Sequence, residues 1–261
     1  MRRALALALV ATVATACIGT TGSETVTFRA FAAGPAGVQG HALTFVNGRG
    51  WTITLTSARL HVGALYLNRS VPISGGQERE CFLPGVYVAQ VWGGADIDVL
   101  EPELQPFPYS GNGTADRAVT GEVWLTGGRI DAQEDRTTIA EVGGTATKDG
   151  VTRRFEGTIT IGQNRANRST DPARPGANPL CGQRIVTPIP TDVTPTDGGS
   201  LILHVDPRPW FGNVDLADLK PVTADSDLVR FADDGSDAAS ANLYGGLRGA
   251  TGGAYAFTWR P

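Results

Sequence analysis

His41, His61 and His204 are the only three histidines of the chain, and each falls within or beside a stretch that reads as a β-strand. Imidazoles on neighbouring strands can converge on one transition-metal ion without being close in sequence, and they suit copper or zinc. Their spacing alone is not a metal motif, and three separate, hydrogen-bonded or exposed histidines are the plainer reading. Met1 is the sole methionine and leaves with a cleaved leader, so any copper would be held by histidine, not by a thioether. Carboxylates offer calcium chemistry at Asp96, Asp98, Glu101 and Glu103 and at Asp233, Asp234 and Asp237. Neither run follows the alternating ligand pattern that ends in a bidentate Glu. Asp131, Glu134 and Asp135 form a carboxylate cluster, yet one turn cannot flank a sugar ring from both sides. The chain contains no Gly-x-Ser-x-Gly elbow, no His-Glu-x-x-His, no phosphate-cradling glycine loop and no dinucleotide fingerprint. Catalysis is not expected. Trp92 and Trp124 could stack on a sugar or pack inward, and the alternation before Trp92 favours the core for at least one of them.

The cysteines divide between anchoring and stapling. Met1-Arg2-Arg3, an apolar run, and Ala14-Thr15-Ala16-Cys17 resemble a bacterial lipoprotein signal, with residues 1 to 16 removed and Cys17 lipidated. The apolar run is too short to span a bilayer as a stable helix. Ile18 after the cysteine, in place of Asp, points to the outer membrane over the inner one, and residues 17 to 24 read as a tether. Cys81 and Cys181 then remain as an even pair in an oxidising compartment, where a disulfide is the expected state. The expected partners are the membrane, through the lipid, and an envelope protein, with the domain a monomer. A net charge of −4, made more acidic by loss of Arg2 and Arg3, excludes nucleic acid as a partner.

The elements that must position these groups are strands. From residue 25 to 261 the chain offers short runs of Val, Ile, Thr and aromatics separated by Gly, Asn and Asp, with almost no helical period. Alternation marks residues 26 to 30 and 51 to 56, where Trp51, Ile53 and Leu55 share one face. Further strands are expected at 57 to 67, 86 to 91, 122 to 125, 137 to 142, 153 to 161, 201 to 205, 228 to 231 and 255 to 259. Asp149-Gly150 predicts a tight hairpin turn. About ten mostly antiparallel strands make a single all-β sandwich or partly closed barrel with long loops. One helix of about two turns is expected over residues 213 to 219. The proline-rich stretch from 164 to 200 reads as a surface excursion outside the sheet, pinned by Cys181.

Some of these segments resemble a known family. Ala58-Arg59-Leu60-His61-Val62-Gly63-Ala64-Leu65-Tyr66-Leu67 is similar to the early strand of the MbnP-like copper-binding proteins. Leu203-His204-Val205-Asp206, with Trp210-Phe211-Gly212-Asn213-Val214-Asp215-Leu216, resembles their closing strand and the turn after it. Phe28 and Val46-Asn47-Gly48 sit where that family has its first strand and loop. Gly63-Ala64 departs from the usual Ser-Asn, and His61 stands where an aromatic is common. The resemblance covers residues 25 to 69 and 200 to 219. It implies an extracytoplasmic β-sandwich that binds copper through histidine, in some members beside an oxidised tryptophan made by a partner haem enzyme. Carried over, the ligands are His41 in the loop and His61 and His204 on their strands. Trp51 is the nearest tryptophan for the oxidised role, but its apolar face places it in the core. The expected function is thus a lipid-anchored envelope protein that binds copper without turnover. The alternative is a cofactor-free surface module that contacts a protein or glycan through loops on a rigid sheet.

Overall fold

The structure is a computed structural model that describes residues 23–71, 85–162, 180–233 and 235–261. The leader 1 to 16, most of the tether, Cys17 and Cys81 lie outside the described residues. The fold is all-β, as expected, and sandwich-like. Alternation explains the first strand, β1 (Thr25–Ala33), whose Val26, Phe28 and Ala30 point into the core while Thr25, Thr27 and Arg29 face out. A short β2 (Leu43–Val46) precedes β3 (Thr52–Asn68), β4 (Tyr87–Asp98), β5 (Gln105–Pro106), β6 (Gly111–Thr114) and β7 (Ala118–Trp124). A hairpin of β8 (Thr138–Lys148) and β9 (Val151–Thr160) follows. After it come β10 (Ile185–Val193), β11 (Ser200–Val205), β12 (Leu228–Phe231) and β13 (Tyr255–Arg260). The main path runs β12-β9-β8-β3-β4-β6-β1-β11-β13 and does not close into a barrel. Pairing is antiparallel except for β1 with β11 and β9 with β12.

The sequence suggests two strands between residues 51 and 67, whereas β3 is a single strand of 17 residues. Its apolar parity changes along the way because the ladder slips twice. An irregularity between Leu55 and Ser57 turns Ala58, Leu60 and Val62 inward. A second one between Val62 and Ala64 turns Leu65 and Leu67 inward and leaves Ala64, Tyr66 and Asn68 on the outer face. The first half of β3 pairs with β2 and β8, and the second half with β4 and β7. One strand therefore joins both sets of neighbours within the sheet. Phe155, Phe211 and Phe231 meet edge to face or tilted at 5.6 to 6.2 Å in the core. Trp51 is buried, with its indole N–H donated to Asp215 Oδ1 at 2.9 Å.

The Asp149-Gly150 turn forms as expected, with φ of 51° and 78° at its two central residues. Two expectations are corrected. The proline-rich stretch does supply a strand, β10, which pairs with β7. It tolerates Pro188 and Pro190 because it pairs on that side only and its register shifts twice, so missing N–H donors cost little there. A short α1 (Leu180–Arg184) leads into it, and Arg184 is buried, bonding the carbonyl oxygens of Ile161, Ile130 and Ala132. The expected helix over 213 to 219 is reduced to a 3-10 turn, Leu216–Asp218, capped by Asp215. Pro221 disfavours helical geometry at Lys220 and stops its growth. The ten-residue α2 (Ala238–Leu247), capped by Asp237, was not foreseen. Among the described residues no helix is long and apolar enough to cross a membrane.

Candidate functional site

His61 and His41 each contact a carboxylate of β4, Asp96 and Asp98 respectively, and are not hydrogen-bonded to one another. His61, on β3, lies opposite Asp96 of β4 and its Nδ1 is 2.7 Å from Asp96 Oδ1. His41 occupies a tight turn in which Gln39 and Ala42 exchange N–H···O bonds and both Gly40 and His41 have positive φ. That is an uncommon backbone for a residue with a Cβ, and the contact of His41 Nε2 with Asp98 Oδ2 at 2.9 Å helps to hold it. His61, Asp96 and Asp98 line an open cavity of about 420 Å³ with Arg59, Gln105 and Glu141. His204 stands elsewhere, on β11, with Nε2 2.8 Å from Thr258 Oγ1. Burial, and after it the charge of Arg260, hold its imidazole below the usual histidine range. Among the described residues no three His, Cys, Asp or Glu side chains are gathered closely enough to hold a metal ion. The residues present therefore do not fit a three-histidine copper centre.

Four of the other carboxylates hold local structure, and Asp234 lies outside the described residues. Asp135 accepts from Thr126, Gly127 and Thr137, bonds that outweigh its burial and keep it acidic, while Asp131 pairs with Arg129. Asp233 accepts from the Thr160 N–H and hydroxyl, and Asp237 caps α2. Cys181 is buried, and Cys81, the partner expected for it, lies outside the described residues.

The arrangement the sequence did not reveal is on the outer face of β3, β4 and β7. Register places Ala64 opposite both Trp92 and Trp124, and Tyr66 opposite both Gln90 and Glu122. The opposite parity, Leu65, Leu67, Val91 and Val123, is buried in the core. Tyr66 is the hub of the face. Its ring centroid is 4.5 Å from Trp124 and 5.0 Å from Tyr87, and its hydroxyl accepts the Trp92 indole N–H at 2.9 Å. Trp92 is 58% exposed and Tyr87 41%. Beneath the rings Glu122 is fully buried and accepts from Asn68 Nδ2 at 2.8 Å and Trp124 Nε1 at 2.9 Å. Burial pushes the Glu122 carboxyl up, against those two bonds, and burial first of all also raises the Tyr66 and Tyr87 phenols. Asn68 is buried too, and its Oδ1 has no hydrogen-bond partner among the described residues. Chemically, this is a rigid stacking surface on a polar footing. Glu122 is too deep to exchange a proton with a ligand, so its part is to fix the rings.

Tyr66, Tyr87 and Trp124 come together from three strands, and only the register unites them. The signal available beforehand was weaker: three bulky aromatics on the outer parity of strands whose other parity is already apolar. No family model matches the chain, no curated protein matches it, and no solved structure matches it.

Proposed function

We propose that this protein is a lipid-anchored envelope recognition module that binds without turnover, and that the Tyr66-centred aromatic face is where it binds. The observation that carries this reading is that a 58%-exposed tryptophan is held in place by a hydrogen bond to a neighbour that is itself packed against two tilted rings. Exposed aromatic patches mark interaction sites, and rings that are already ordered lose little entropy on binding. The lipid-anchor reading supports the location through Ala14-Thr15-Ala16-Cys17, and the strongly bonded sheet supplies a rigid support. The test is co-sedimentation of the detergent-solubilised full chain with washed envelope fragments, for wild type and a Trp92→Ala, Tyr87→Ala double variant. Retention should fall at least tenfold in the variant while its thermal melt stays close to wild type. Equal retention of a folded variant overturns the reading.

Histidine-held copper is the second reading, favoured by the two imidazole–carboxylate contacts, His61 with Asp96 and His41 with Asp98. A carboxylate on one ring nitrogen orients a histidine so that the other nitrogen can ligate. It draws further support from the MbnP-like segments. Stoichiometric copper(II) uptake that is lost in His61→Ala and His41→Ala variants would establish it, and no uptake by wild type would end it.

A further inference from the structure

We infer that the ligand of the aromatic face is an uncharged oligosaccharide lying across the strands, an inference that rests on the recognition reading above. The ladder extends the face beyond its rings. Thr27 of β1, Asn112 of β6, Gln90 of β4, Tyr66 of β3 and Glu122 of β7 are successive cross-strand partners, forming one lateral row over five strands. At ~4.8 Å per strand the row is about 19 Å long, a span suited to several linked sugar rings. Beside Tyr87 the row opens into a groove of about 390 Å³ lined by Thr25, Thr27, Gln90, Asn112 and Thr114. Its polar side chains are neutral amides and hydroxyls, and Gln90 Nε2 already donates to Asn112 Oδ1 at 3.2 Å.

The chemistry of a pyranose matches both parts. Its C–H faces are apolar and stack on indole and phenol rings, while its hydroxyl edge both donates and accepts, as amides and hydroxyls do. The charges around the groove argue against an anionic chain. Asp197 accepts the Thr27 backbone N–H, and Asp116 holds Arg69 at 2.6 Å and accepts from Thr114. A carboxylated or sulfated sugar would therefore meet Asp197 and Asp116, and Arg69 beside them is already paired, although Arg29 shares the outward face of β1. In the bound state sugar rings cover Trp92 and Tyr87, and hydroxyls reach Gln90 and Asn112.

The experiment is affinity electrophoresis and calorimetry of the full chain in detergent with soluble neutral β-glucan, xylan, amylose and chitin oligosaccharides, and with hyaluronan as the anionic comparison. At least one neutral series should bind, more tightly as the chain lengthens, and Trp92→Ala and Asn112→Ala should each weaken it about tenfold with the fold intact. Asn112 is exposed, so its variant tests the groove without touching the rings. Binding of hyaluronan in preference, or of no neutral series, overturns the saccharide assignment. If envelope retention still depends on Trp92 and Tyr87 in that event, the recognition face stands and only its ligand class falls. If retention is indifferent to both rings, the recognition reading itself has failed.

Discussion

Replacing Glu122 with Gln should make the protein more stable at neutral pH than at acid pH relative to wild type. Glu122 is fully buried beneath the aromatic face, and its carboxyl is raised above the ordinary value of 4.5, burial outweighing the bonds from Trp124 and Asn68. A carboxyl raised in the folded state binds its proton more tightly there than in the unfolded chain. Its contribution is then fully present below pH ~4.5 and is lost as pH rises through the folded pKa, at a slope of up to about 1.4 kcal/mol per pH unit. A glutamine does not titrate, so this loss disappears. The amide can also satisfy the site: its oxygen accepts from Trp124 Nε1, and its NH2 donates to Asn68 Oδ1, which has no partner among the described residues, once that amide turns over. Leu at this position would instead strand the indole and amide donors, at about 1 to 3 kcal/mol each. Urea unfolding of wild type and Glu122→Gln at intervals from pH 4 to 8 reads the difference directly, since other groups cancel. A difference that is flat with pH, or one in which wild type gains on the variant as pH rises, would mean that Glu122 does not titrate with a raised pKa in the fold.

Arg184→Ala should cost about 3 to 5 kcal/mol in equilibrium unfolding, because it orphans the carbonyls of Ile130, Ala132 and Ile161 and empties a buried site. Arg184→Lys should recover only part of that, since one ammonium cannot reach both Ile161 and the 130–132 loop. A Cys81–Cys181 bridge closes a loop of about 100 residues, so Cys181→Ser should lower stability by about 4 to 5 kcal/mol on chain entropy. Non-reducing peptide mapping that pairs Cys181 with another cysteine would contradict the assignment. Cys17→Ser should move the protein from the detergent phase to the aqueous phase in a partition assay, because it removes acyl chains worth ~0.8 kcal/mol per buried CH2.

Much of the fold was legible in the sequence because strands with one wet face alternate, and turns such as Asp149-Gly150 admit few conformations. The course of β3 was legible in content but not in continuity, since its two ladder irregularities shift the parity that alternation depends on. β10 was hidden by its prolines, which count against a central strand but not against one paired on a single side. α2 was hidden by its Gly and Ala content, which blurs the stripe of Ala239, Leu243, Tyr244 and Leu247 that it buries. Gly246 is needed there for close approach, as a Cβ would lie 2.5 Å from the Trp210 carbonyl oxygen. At the candidate site the histidines were visible as residues, but their partners Asp96 and Asp98 are set by register. Trp92 and Trp124 were each noticed in the sequence. That they share a face with Tyr66 and Tyr87, over Glu122, depends on which of several strands pairs with the second half of β3.

Footprinting shows whether the Tyr66-centred face is the binding face. Hydroxyl-radical labelling of the full chain, read by mass spectrometry with and without washed envelope fragments, reports the accessibility of each aromatic and histidine. Trp92 and Tyr87 should become protected while His41, which is 51% exposed at its side chain, keeps its reactivity. Protection centred on His41 and His61, with Trp92 and Tyr87 labelled as before, would contradict the account.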